Sequence, residues 1–202
     1  MVSSKTTAVY DEHADRYNEL MSPEAGGDYL RHVHATLRDL LGPGDGATCL
    51  DVCCGTGAHA ATLTALGWSP VGADLSRNQL RHAARRLPVA VADATALPLA
   101  TALPLATGSL PAAVCVLAGT DVPDYPAALR EIARALAPSW NTTGVRARLG
   151  AWHIPLAELL NGATAAGLSI ERAAEAGREG VPELFGFTAT LGREASPATP
   201  VT

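Results

Sequence analysis

The chain has 202 residues, 48% of them hydrophobic and 17% charged, with a formal net charge of -5. That length suits one domain with a continuous core, and the composition excludes a disordered chain. The acidic balance argues against a nucleic-acid partner, because phosphate-backbone binding relies on a basic face that displaces counterions.

With only 4% aromatic residues, the core must rest on Ala, Leu and Val. The four cysteines, Cys49, Cys53, Cys54 and Cys115, lack any CxxC or zinc-type spacing. They read as buried free thiols in a reducing compartment, with no metal site. Met1 to Thr7 is short and polar, and no apolar run reaches membrane-spanning length. A cytoplasmic protein with no membrane partner, monomeric or homodimeric, is expected.

In chain order, Leu30, Val33, Leu37, Leu40 and Leu41 recur at helical spacing and predict a helix over Tyr29 to Leu41, ended by Gly42-Pro43-Gly44. Ala47 to Val52 reads as a strand, Gly55 to Gly57 as a tight turn, and Ala58 to Leu66 as a helix on whose exterior His59 is placed. Pro70 to Ala73 predicts a second strand that stops at Asp74, and Ser76 can cap a helix running to Leu87. Val89 to Ala92 predicts a third, stopping at Asp93. Ala112 to Ala118 has the character of a strand buried on both faces, and Asp121 to Ala137 that of a helix closed by Pro138. In Val145 to Trp152, Val145, Ala147 and Leu149 alternate with Arg146 and Arg148, which suggests a half-exposed strand away from the sheet centre. A helix over Pro155 to Ala166 and closing strands at Leu168 to Arg172 and Leu184 to Leu191 complete the chain, with a disordered tail at 192–202. This alternation predicts an α/β, Rossmann-like doubly wound sheet, mostly parallel, with helices on both faces and an antiparallel closing strand. One domain over 1–191 would comprise a helical cap (1–46), a ligand-binding half (47–138) and a shorter second half (139–191).

The chemistry centres on Leu50-Asp51-Val52-Cys53-Cys54-Gly55-Thr56-Gly57. A GxG turn after a strand lets backbone approach a ligand, but alone it could serve only the turn's dihedrals. The spacing of acids decides more. Asp51, Asp74 and Asp93 each lie where a parallel strand should end, so all three carboxylates are expected in one crevice at the carboxyl edge of the sheet. A carboxylate after the second strand suits the paired hydroxyls of a ribose, although an acid before Leu75-Ser76 could also be a plain helix cap.

These motifs resemble the first three of the class I S-adenosylmethionine-dependent methyltransferases. Tyr10-Asp11 with Ala14 and Tyr17, Tyr125 to Ala137, and Trp152-His153-Ile154-Pro155-Leu156 with Ala166-Gly167-Leu168 are similar to later segments of the family's small-molecule branch. The resemblance implies S-adenosyl-L-methionine as cofactor and a small-molecule methyl acceptor. It also implies that Cys53, Gly55 and Gly57 pack against the methionine portion, while Asp51 holds its amino group directly or through water. Asp74 would take the ribose hydroxyls and Leu75 cover the adenine. Asp93 would accept from the adenine amino group and the Ala94 amide meet the ring; Leu117 and Ala118 would offer carbonyls to the sulfonium or amino side. Tyr10 and Tyr17 either close the pocket or simply pack. His153 is the base candidate by family position; packing against Trp152 is the weightier reading for a histidine with no partner in sequence.

Three features depart from the family pattern. Pro138-Ser139-Trp140-Asn141 replaces the usual turn into a fifth strand, so either Val145 to Ala151 substitutes for that strand or the sheet is short. Pro111 stands where the family commonly has Asp. The hexapeptide Ala-Thr-Ala-Leu-Pro-Leu occurs twice, at 94–99 and 100–105, lengthening the loop after Asp93. Two other readings stay open: a nicotinamide-dependent (NAD) oxidoreductase, since Gly55 to Ala60 fits a loose GxGxxA pattern, and a non-catalytic S-adenosylmethionine-binding protein. Asp51 and Asp93 speak against the first, because a dinucleotide fingerprint requires neither.

Overall fold

A computed structural model describes residues 4–99, 105–119, 121–136, 146–151, 156–178 and 181–191. Three helices open the chain: α1 (Ser4–Glu12), α2 (Ala14–Leu20) and α3 (Pro23–Leu41). The side chain of Ser22 caps α3 by accepting from the Ala25 amide, and the helix breaks at Gly27, just before its apolar stripe begins. Then follow β1 (Thr48–Val52), α4 (Ala60–Ala65), β2 (Ser69–Asp74), α5 (Arg77–Ala83) and β3 (Val89–Val91). The second half adds β4 (Ala112–Cys115), α6 (Tyr125–Ala135), β5 (Arg146–Ala151), α7 (Leu156–Ala165), β6 (Leu168–Arg178) and β7 (Val181–Leu191).

The seven strands form one sheet in the order β3-β2-β1-β4-β5-β7-β6. Strands β1 to β5 run parallel, whereas β7 enters antiparallel between β5 and β6. Because the chain leaves β1 toward β2 and later returns to β4 on the other side, a crevice opens at the carboxyl ends of β1 and β4. Side-chain alternation sorts the core onto two faces. Leu50 and Val52 pack with Ala113, Leu129, Ile132 and Phe187 on the side of α6, while Cys49 and Val114 pack with Leu37, Leu41 and Leu63 of α3 and α4. A doubly wound sheet results.

Several expectations need correcting. Val145 to Trp152 was expected away from the sheet centre. Of the two alternatives for the missing fifth strand, substitution by the segment Val145 to Ala151 is the one the sheet adopts, and β5 is flanked by β4 and β7. Its alternation reports side-chain character, whereas its position is set by a hairpin that arrives thirty residues later in the chain. The strand expected to reach Ala118 ends at Cys115, and Leu117 adopts a left-handed φ of 61°. Helix α6 begins at Tyr125, capped by the Asp124 side chain, which accepts from the Ala127 amide at 3.0 Å. Asp121 is therefore freed from the helix. The closing strands β6 and β7 extend to eleven residues each. Pro111 precedes β4, where its missing N–H costs no ladder bond. Of the repeated hexapeptide, the first copy is tied to α6: Glu131 accepts from the Leu97 amide, and Arg134 donates to the Leu97 carbonyl. Residues 100–104 of the second copy, the tail at 192–202 and His153 lie outside the described residues.

Candidate functional site

A cleft with a volume of about 100 Å³ lies at the carboxyl ends of β1 to β4. Asp74 and Leu75 line it from the end of β2, Asp93 and Ala94 from just beyond β3, and Cys53 and Gly55 from the turn after β1. Leu117 and Ala118 close the β4 side, and Tyr10 and Tyr17 reach in from α1 and α2. The sequence motifs thus meet in one place because parallel strands all discharge their chains at the same edge.

Asp74 organises this edge. Its Oδ2 accepts from the Gly55 amide at 2.9 Å and its Oδ1 from the Ser76 amide at 2.8 Å, linking the glycine turn to the start of α5. Burial holds its carboxyl above the usual carboxylate range, and these backbone bonds pull it back down. Asp93 Oδ1 accepts from the Thr95 amide at 2.8 Å and from the Thr95 hydroxyl at 2.7 Å, which leaves its second oxygen for a ligand.

Three residues are placed differently from expectation. Asp51 does not reach the cleft: it is 1% exposed, and neither carboxylate oxygen has a hydrogen-bond partner among the described residues. Alternation along β1 gives it the face of Cys49, toward α3 and α4, and the turn that follows roofs it over. Burial, and then the nearby Asp74 charge, push its carboxyl up to about 8. The expectation of three carboxylates converging in one hollow is therefore corrected to two, Asp74 and Asp93. Gly57 also lies off the cleft. A Cβ there would meet Leu87 Cδ2 at 2.8 Å and Ala83 Cα at 3.2 Å, and its φ is 74°. Gly57 is thus demanded by packing against α5 and by a left-handed turn. His59, expected on the helix exterior, is buried edge-on to His34 with ring centroids 5.4 Å apart. Burial lowers its imidazole pKa to about 3.

Backbone strain marks the same cleft. Cys53 and Leu117 are non-glycine residues with φ of 58° and 61°, and both line it. Such conformations cost roughly 1–2 kcal/mol each and persist where surrounding structure enforces them, commonly at functional sites. The Cys53 thiol, Cys115 and the buried Tyr125 hydroxyl lie close together, and that hydroxyl has no hydrogen-bond partner of good geometry among the described residues.

Sequence reasoning missed Ser76, Gln79, Thr7, Val122 and Asp121, all of which line the cleft. For Asp121 a signal existed: Asp124 followed by Tyr125-Pro126 is an N-cap with proline in the first turn, which places the helix start later. Across the cleft's outer side, α1 and α2 are latched to α5. The Ser76 hydroxyl donates to Asp11 at 2.6 Å, Asp15 lies 2.7 Å from His82 Nε2, and Arg86 bridges Asn18 at 2.9 Å to the Thr56 carbonyl at 2.6 Å. Among the described residues, no Lys, Arg or His lines the cleft, against three carboxyls: Asp74, Asp93 and Asp121.

Comparison with known proteins places these features. The family model described as "Methyltransferase domain" matches residues 49–139. A demethylmenaquinone methyltransferase of Mycolicibacterium paratuberculosis is 36% identical over 136 residues, 65% of this chain and 54% of its own; the chain thus spans about half the length of that relative. A TehB-like SAM-dependent methyltransferase structure from Corynebacterium glutamicum superposes with a TM-score of 0.68 at 25% identity, covering 91% of this chain and 98% of its own. One from Thermotoga maritima, a SAM-dependent methyltransferase described as a possible histamine N-methyltransferase, gives a TM-score of 0.70 at 14% identity over 92% and 99% of the two chains, and shares the fold.

Proposed function

We propose that this chain, whose residues 49–139 match a methyltransferase domain and whose fold superposes on a SAM-dependent methyltransferase, is a class I S-adenosylmethionine-dependent enzyme that transfers a methyl group from S-adenosyl-L-methionine to a small-molecule acceptor. The observation that carries the reading is the pairing of Asp74 and Asp93 at consecutive strand ends in one cleft whose described lining holds no cation. Carboxylates suit ribose hydroxyls, an adenine amino group and a cationic sulfonium. They are a poor lining for a pyrophosphate. The Gly55 amide, which a dinucleotide-binding turn would aim at phosphate, is already engaged by Asp74. The β7-β6 end of the sheet also departs from the 3-2-1-4-5-6 order of nicotinamide-binding domains.

In this reading each Asp74 oxygen keeps a lone pair for the ribose, the free Asp93 oxygen takes the adenine amino group, and the Ala94 amide meets the ring. Leu75 covers the adenine. Cys53, Gly55, Leu117 and Ala118 surround the methionine portion, while Tyr10 and Tyr17 cover it from the cap helices. S-adenosyl-L-methionine supplies a methyl carbon on a cationic sulfur that departs neutral, so alignment of the acceptor supplies much of the catalysis. A small acceptor is supported by the cleft's size, by the acidic character of the chain, and by the Mycolicibacterium relative, which is named for demethylmenaquinone.

Calorimetric titration with S-adenosylmethionine, S-adenosylhomocysteine and NAD tests the cofactor. The two sulfur nucleosides should bind and NAD should not; NAD binding alone would overturn the reading. Release of S-adenosylhomocysteine in the presence of a small-molecule panel then tests turnover. Cofactor binding without turnover on any acceptor would favour a non-catalytic binding protein.

A further inference from the structure

The roles assigned above leave one charged cleft residue unused. Asp121 lies in the short connection between β4 and α6, where its amide donates to the Ala118 carbonyl at 3.0 Å and fixes the turn. Its half-buried carboxyl lines the cleft with Thr7, Tyr10 and Val122. The Tyr10 phenol faces it: burial raises both groups above their ordinary values, and their mutual hydrogen-bonding interaction raises the phenol further while pulling the carboxyl part of the way back down. The other titratable groups near this pair are Tyr17 on α2, pushed up to about 12 chiefly by burial, and Asp74 at the end of β2. No cation of the described lining neutralises Asp121.

Resting on the methyltransferase reading, we propose that Asp121, oriented by Tyr10, is the acceptor-facing group of the cleft and that the acceptor is an amine. The negative lining repels a carboxylate or phosphate acceptor and attracts an ammonium or a neutral N–H donor. In the step itself, the lone pair of the acceptor nitrogen forms the N–CH₃ bond as the S–CH₃ bond breaks. The bonding electron pair stays on sulfur, which becomes neutral. The surplus N–H proton passes to the Asp121 carboxylate and from there to solvent. Tyr10 is a positioning residue, since its hydroxyl acts through Asp121.

The test is a binding measurement that needs no known acceptor. Sinefungin carries an amine on the carbon that replaces the sulfonium sulfur, so its ammonium occupies the place from which the methyl leaves. S-adenosylhomocysteine is neutral there. Calorimetric titration of the full chain should show sinefungin binding more tightly than S-adenosylhomocysteine. Asp121→Asn should weaken sinefungin by about tenfold or more, the loss expected for a charge-assisted hydrogen bond, while S-adenosylhomocysteine moves less than about twofold. Retained S-adenosylhomocysteine binding also certifies that the variant is folded. Tyr10→Phe, a second variant, should give a smaller loss with the same selectivity. If the unaltered chain binds both ligands and both variants shift them equally or not at all, Asp121 only latches α1 and this proposal falls alone. If it binds neither, the cofactor reading falls and takes this one with it.

Discussion

The buried Asp51 predicts a stability that declines as pH rises, opposite to the behaviour of a paired surface carboxylate. Its carboxyl is nearly inaccessible and unpartnered, and burial with the Asp74 charge raises its pKa from 3.8 to about 8. Between these values the unfolded chain releases a proton that the folded chain retains. The contribution is therefore whole below pH 4 and is lost as pH climbs to 8, at about 1.4 kcal/mol per pH unit. Over the roughly four units of that window, the loss is on the order of 5 kcal/mol. Asp51→Asn removes the titration while keeping the shape. Its carboxamide is also unpartnered, so its absolute stability carries an offset, but that offset does not vary with pH. Urea unfolding of both chains at pH 5, 6, 7 and 8 isolates the effect in their difference, where all other titrating groups cancel. The variant should gain on the parent by about 1 kcal/mol or more per pH unit. A difference that stays flat from pH 5 to 8 would refute the buried, neutral carboxyl.

His59 should act in the opposite direction. With its pKa lowered to about 3 by burial, the stability it contributes is present above pH 6.5 and lost as pH falls toward 3, so His59→Gln should flatten the acid limb of an unfolding profile. Gly57→Ala places a Cβ 2.8 Å from Leu87 in a left-handed turn and should cost about 1–3 kcal/mol in thermal or urea melts. Gly55→Ala brings its Cβ to 2.6 Å from Gln79 Oε1 and 3.8 Å from Tyr17 Cε1 at a φ of 53°, on the cleft side, and should lower cofactor affinity more than it lowers stability. Asp74→Ala strands the Gly55 and Ser76 amides and should weaken S-adenosylhomocysteine binding by roughly 1–3 kcal/mol in calorimetry; unchanged affinity in a folded variant would exclude its ribose role. Arg86→Ala cuts the bridge from Asn18 to Thr56 and should speed proteolysis within residues 14–20 while leaving the sheet intact.

Sequence reading succeeded where local chemistry and topology agree. Apolar runs that stop at Asp74 and Asp93 mark strand ends, and parallel strands bring those ends together. Ser76 announced α5 because an N-cap acts over three residues. Asp51 was misplaced because an acid near a strand end looks the same whether the next turn opens beside it or closes over it. His59 was misjudged for a related reason: helical periodicity names a face, but only the course of α3 decides that His34 covers it. The place of β5 depended on a long-range hairpin, to which an alternating local pattern is blind. Asp121 was hidden by a helix start set four residues early.

The latch between the cap helices and α5 consists mainly of polar and ionic contacts, while Ala14 and the partly buried rings of Tyr10 and Tyr17 supply the cap's apolar surface among the described residues. Breaking those polar contacts alone uncovers little hydrocarbon, whereas lifting Tyr10 and Tyr17 out with the helices exposes two aromatic rings and so adds a heat-capacity change and a urea response. Ionic strength bears on the polar latch, whose Asp15–His82 contact has an exposed carboxylate. Traffic into the cleft would be throttled by electrolyte, independently of how firmly the sheet beneath is folded.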